Sequence, residues 1–142
     1  MKKIIFILTL TFGILACSSD DIINIDNSDL IGVWNWTNTD GGFGYHIHET
    51  PTSTGKQIVL NIKGNSIYVI TENGNEVSNG TYEISLRESI YSGEMKRFIT
   101  FSTEYQNQNI VLAGLIRILE NNKLTIADNN VDGVESKYEK SE

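Results

Sequence analysis

From Leu30 to the carboxyl end, apolar residues recur at every second position and almost nowhere at every third or fourth. A chain patterned this way lays one face of extended strands against a core, because successive strand side chains point to opposite sides. Ile58, Leu60 and Ile62 alternate with Gln57, Val59 and Asn61, and Tyr82, Ile84 and Leu86 alternate with Thr81, Glu83 and Ser85. Lys63-Gly64-Asn65, Asn73-Gly74, Ser92-Gly93 and Asn121-Asn122 interrupt the runs where a meander would turn. Asn73-Gly74 is the strongest of these, since a type I′ hairpin needs positive φ at both central residues. Ser78-Asn79-Gly80 falls inside a longer run and reads as a bulge. The stretch from Asn109 to Leu119 is apolar on both faces with Arg117 its sole charge, and its β-branched Ile110, Val111, Ile116 and Ile118 favour strand over helix. The expected strands are 31–39, 42–49, 56–63, 65–72, 75–87, 96–103, 109–120, 123–128 and 133–138. Short links make neighbours antiparallel. An all-β, up-and-down meander of eight or nine strands removes its exposed edges by closing into a barrel, with a two-sheet sandwich as the alternative.

The amino end carries a different signal. Met1-Lys2-Lys3 precedes the apolar run Ile4 to Leu15, and Ile14-Leu15-Ala16-Cys17 ends it with a small residue before the cysteine. This resembles a bacterial lipoprotein signal with its lipobox, and the run is shorter than the ~20 residues a membrane-spanning helix needs. The resemblance implies removal of residues 1–16, acylation of Cys17, and anchoring of the mature chain to a membrane. Cys17 is the only cysteine, so no disulfide forms within the chain. Ser18-Ser19-Asp20-Asp21 opens a polar tether, 17–29, that resembles the acidic signal directing Bacteroidota lipoproteins to the cell surface. The expected address is therefore the outer membrane, surface-exposed, with the 30–142 domain held on the order of 20 Å from the lipid. Without the leader the chain has nine basic and 18 acidic residues. That balance repels phosphate backbones and excludes nucleic acid as the expected partner.

The first strand begins Leu30-Ile31-Gly32-Val33-Trp34-Asn35-Trp36, and Gly32 and Trp34 form the Gly-x-Trp of the lipocalin superfamily. With Thr39-Asp40-Gly41-Gly42, His48-Glu49-Thr50-Pro51, Ser53-Thr54-Gly55-Lys56, Gly80-Thr81-Tyr82 and Asp128-Asn129-Asn130, the domain resembles the lipocalin-like lipoproteins of Bacteroidota. The resemblance implies a small antiparallel barrel, and by fold analogy the expected function is a non-enzymatic binding module for a small hydrophobic or glycan-type ligand. It also implies an arginine stacked on the motif tryptophan to close one end, a role for which Arg117 is the candidate. The second lipocalin motif, Thr-Asp-Tyr, is absent, so the barrel is also read as one filled by its own side chains, binding protein or glycan through its outer face or loops.

Alternation puts Trp34 and Trp36 on one face, where they serve either as core or as a ligand-stacking surface. Asp128-Asn129-Asn130-Val131-Asp132-Gly133, with Glu139 five residues beyond the glycine, fits the spacing of a calcium loop through Asp128, Asn130, Asp132 and Glu139. The same residues also suit a hairpin loop followed by a last strand. His46-Ile47-His48 would place two imidazoles on one side of a strand, as many β-borne zinc sites do. For catalysis the sequence offers no Gly-x-Ser-x-Gly elbow, no His-Glu-x-x-His and no phosphate loop. The expectation is a binding protein.

Overall fold

The computed structural model describes residues 25–103, 105, 109–120 and 122–142. The expected leader, the expected lipidation residue Cys17 and the expected tether up to residue 24 lie outside them. Among the described residues nine strands run in chain order: β1 (Gly32–Gly41), β2 (Ile47–Glu49), β3 (Ile58–Ile62), β4 (Ile67–Glu72), β5 (Asn75–Glu88), β6 (Met95–Phe101), β7 (Gly114–Leu119), β8 (Lys123–Ala127) and β9 (Val134–Lys140). All pairings are antiparallel, and β1 bonds to β3 on one side and β9 on the other. Eight strands thus close into a small lipocalin-like barrel, and β2 adds to the far end of β1 through Thr39, Asp40 and Gly41. Among the described residues one short α-helix, α1 (Pro51–Thr54), starts on a capping box between Thr50 and Ser53 and stops at Gly55 in the left-handed region.

Local chemistry explains the turns. Asn73 and Gly74 take φ of 51° and 81°, which gives the hairpin between β4 and β5 the positive dihedrals of its type I′ turn. The Asn73 side chain also accepts from the Gln57 amide and donates to the Gly55 carbonyl. A bulge falls beside the expected tripeptide, at Val77, where pairing passes from Ile70–Ser78 to Thr71–Glu76. A second bulge lies at Thr37, between Trp36–Tyr138 and Asn38–Lys137.

Two expected strands lose half or more of the length that the sequence pattern suggested. Of 42–49 only Ile47–Glu49 is strand. Gly42, Gly44 and Tyr45 hold φ of 74°, 68° and 56°, and these turn the chain before it can extend. Of 109–120 only Gly114–Leu119 pairs in the sheet. The preceding residues enter the core instead: Ile110 and Leu112 are buried. The Val111 N–H donates to Ser136 Oγ at 2.7 Å and its carbonyl accepts from the Tyr138 hydroxyl at 2.6 Å. Side chains of β9 therefore occupy the backbone groups that a ladder would have used.

The interior is filled by side chains. Trp34, Tyr68, Ile99, Leu124, Ile126 and Tyr138 are at most 1 % exposed and belong to one continuous cluster. One mouth of the barrel is closed by the strap Asp26–Leu30. Leu30 is fully buried, its carbonyl accepts from Trp34 Nε1 at 2.7 Å, and Arg97 grips both Asp29 carboxylate oxygens at 2.7 Å.

Candidate functional site

The outer wall carries a second apolar layer. Phe98, Leu115 and Ala127 are each only 6 % exposed, yet none of them belongs to the interior cluster. They are cross-strand neighbours in one row that continues through Glu135, Asp40 and His48. Because the row crosses β6, β7, β8, β9, β1 and β2, residues distant in sequence share one patch of the wall. What covers its apolar part is the link between β5 and β6. Ser89 and Glu94 close that link by a backbone bond, and Tyr91 donates its hydroxyl to the carbonyls of Asp128 and Asn130 at 3.1 and 2.8 Å. Asn129 reaches back, accepting from the Ile90 amide and donating to the Glu88 carbonyl. On the outside, Arg87 lies 5.2 Å from the Phe98 ring centre.

Between this folded-over link and the turn after β1 a cleft of about 670 Å³ opens. Leu115 and Ala127 line it together with two tyrosines and a set of charged side chains. Tyr91 is 58 % and Tyr45 87 % exposed. Tyr45 sits in the left-handed region with its amide on the Gly42 carbonyl, a conformation that costs a residue other than glycine on the order of 1 kcal/mol or more. The volume falls within the ~300–1,000 Å³ typical of small-molecule sites.

The charges in the cleft are paired. Asp40 accepts from Lys137 Nζ at 2.8 Å and from the side chains of Asn38 and His48. The Lys137 bond, and after it the His48 bond, hold the Asp40 carboxyl below its ordinary range. Arg117 pairs with Glu135 and donates Nε to Thr125, and Lys96 pairs with Glu94. Asp40 and Glu135 stand directly opposite on β1 and β9. Asp40 is driven toward its charged form, and Glu135 is bonded to Arg117. The surface offers fixed donors and acceptors. Burial, and after it the negative charges of Asp128 and Glu135, raise the Tyr91 phenol pKa, so it stays a hydrogen donor.

The other residues singled out from sequence are placed as follows. Trp34 and Trp36 are 0 % and 3 % exposed, and Trp36 Nε1 ends on Thr39 Oγ1 at 3.0 Å, so neither ring presents a face to solvent. The cation over Trp34 is Lys140, with Nζ 5.1 Å from the ring centre; Arg117 is on the outer wall instead. Gly32 shows why the motif starts with glycine. A Cβ there would come 2.3 Å from Lys140 Cε, and φ is 149°, so the bare backbone lets the lysine cross to the indole. His46 precedes β2 in a helical conformation, and only His48 lies on the strand, bonded to Asp40. In the loop after β8, Asp128 Oδ1 accepts from the Val134 amide and the Asn130 carbonyl from Gly133 and Tyr91, while Glu139 pairs across β9 with Lys123 and Asn35. Among the described residues no three His, Cys, Asp or Glu side chains gather as a metal site.

A smaller cleft of about 270 Å³ lies between Ile70, Phe101, Tyr105 and Leu112, next to residues outside the described set. Tyr45, Tyr91 and the outer charges were not singled out from sequence as a site. One signal was present, in the stretch ending at Leu119 that is apolar on both faces: Leu115 points outward and needs a cover. Comparison of the chain with protein-family models, with curated proteins and with solved structures gives no match.

Proposed function

We propose that this protein is a lipocalin-like lipoprotein anchored to the outer membrane through Cys17, and that its barrel is a scaffold whose outer wall binds a glycan. One observation carries this reading. The interior is occupied by the protein's own aromatic and aliphatic side chains, whereas the 670 Å³ cleft with two exposed tyrosines is on the outside. A sugar ring presents an apolar face and an equatorial belt of hydroxyls, which suits an exposed tyrosine beside fixed hydrogen-bonding groups. The ion pairs supply those groups. Because each charge is already matched by another, the cleft suits an uncharged polyol better than a charged ligand.

Peptide recognition fits less well. A peptide laid on a sheet gains its affinity from main-chain bonds at a free edge, or from a continuous apolar groove that takes a helix. This cleft sits on a sheet face whose backbone is engaged in ladders, and its apolar floor is small. Binding of the labelled full-length protein, in detergent, to an array of linear glucose, xylose and mannose oligosaccharides tests the reading. We expect binding that Tyr91→Ala lowers at least tenfold; an array with no bound sugar overturns it. Cys17→Ser is expected to move the protein from the membrane to the soluble fraction of the producing cells. A variant that stays membrane-bound overturns the anchor.

A further inference from the structure

The cleft does not end at Glu135 and Lys137. The same two side chains line a second depression of about 260 Å³, which continues along the outer wall past Thr37, Asn38, Thr125, Leu119 and Lys123. The bulge at Thr37 helps to form it. The Thr37 hydroxyl bonds to the Lys137 carbonyl, and the pairing of β1 with β9 slips by one residue there, which twists the wall locally. Leu119 is 45 % exposed, and a large apolar side chain in that position suits a ring face. Lys123 and Glu139, paired across β8 and β9, supply polar ends.

We infer that the two depressions are adjoining subsites of one groove, and that the ligand is an oligosaccharide chain rather than a single sugar. Both depressions lie over β1, β9, β8 and β7 and follow one another along these strands; from Leu115 to Leu119 the groove runs roughly 13 Å at the ~3.3 Å rise per strand residue, which leaves room for more than one ring. Glu135 and Lys137 stand at the junction and serve both subsites. The tyrosines are at one end only, so the first subsite stacks a ring and the second orients the rest of the chain by hydrogen bonds. This inference rests on the glycan reading of the cleft.

Calorimetric titration of the full-length protein with oligomers of one sugar, from disaccharide to pentasaccharide, tests it. The wild type is expected to gain at least tenfold in affinity between the shortest and the longest oligomer. Leu119→Asn and Lys123→Ala are expected to cut that gain to threefold or less, with folding checked by circular dichroism. Equal affinity at every length, or a length gain unaltered in both variants, overturns the inference and leaves the glycan reading standing. A panel in which no sugar binds overturns both.

Discussion

Inside the barrel, Trp34, Trp36 and Tyr138 are sealed from water and each polar atom meets a protein partner: the Leu30 carbonyl, the Thr39 hydroxyl and the Val111 carbonyl. On the outside of the same strands, Tyr45 and Tyr91 stand in solvent above a floor of ion-paired side chains. The two sides of β1 show the division most directly, with Trp36 and Thr39 facing the core and Asn38 and Asp40 facing the cleft. The bulge at Thr37 sets these two core residues three positions apart, and beyond it the alternation resumes, with Asn38 and Asp40 turned to the outer wall. Filling the inside leaves the outer wall free to change its chemistry without disturbing the core.

The largest effect expected from breaking this division is on the inside. Trp34→Ala removes the side chain that meets Leu30 and Lys140, and a buried aromatic lost to alanine costs ~3–5 kcal/mol. Urea denaturation should show the midpoint falling accordingly. A loss under about 1 kcal/mol would mean that the interior is not the stabilising side.

A much smaller effect belongs to the strap at the barrel mouth. The bond to Arg97, stronger than the opposing burial, holds the Asp29 carboxyl below its ordinary range. A carboxylate whose folded pKa lies below its unfolded one adds stability above ~pH 4, and that stability is lost as pH falls through the folded value. The pair is partly exposed, so the amount is under about 1 kcal/mol. Asp29→Asn should flatten the stability profile between about pH 4 and pH 2; an unchanged profile would count against the latch.

The smallest effect has the opposite sign. Tyr45→Gly relieves a left-handed φ of 56° and is expected to raise stability by ~0.5–1 kcal/mol, as thermal melting would show, while weakening binding to any sugar the wild type recognises. A variant that melts earlier would show that Tyr45 belongs to the fold and not to the site.

Most of the architecture was legible because alternation is a local signal. Strands β3, β4 and β5 and the Asn73-Gly74 turn each follow from a few consecutive residues. What was illegible depends on partners remote in sequence. The 109–113 stretch has the composition of a strand, but Ser136 and Tyr138 capture its backbone from another part of the chain. Lys140 rather than Arg117 covers Trp34 because the closing pairing of β1 with β9 brings the chain's end beside its first strand, and no spacing rule reports that register. The cleft was hidden for the same reason, since its row of neighbours is assembled from six strands. Tyr91 lies on a link whose path is fixed by Asn129 and by hydroxyl bonds to carbonyls, and Tyr45 on a turn set by positive φ at Gly42 and Gly44.

The strap has a mechanical consequence. A pull on the amino-terminal segment first meets the grip of Arg97 on Asp29 and the seated Leu30. Beyond them, β1 is bonded on both flanks, to β3 and β9. Force entering there runs along β1 and loads the ladder bonds on both its flanks together in shear instead of opening them one by one.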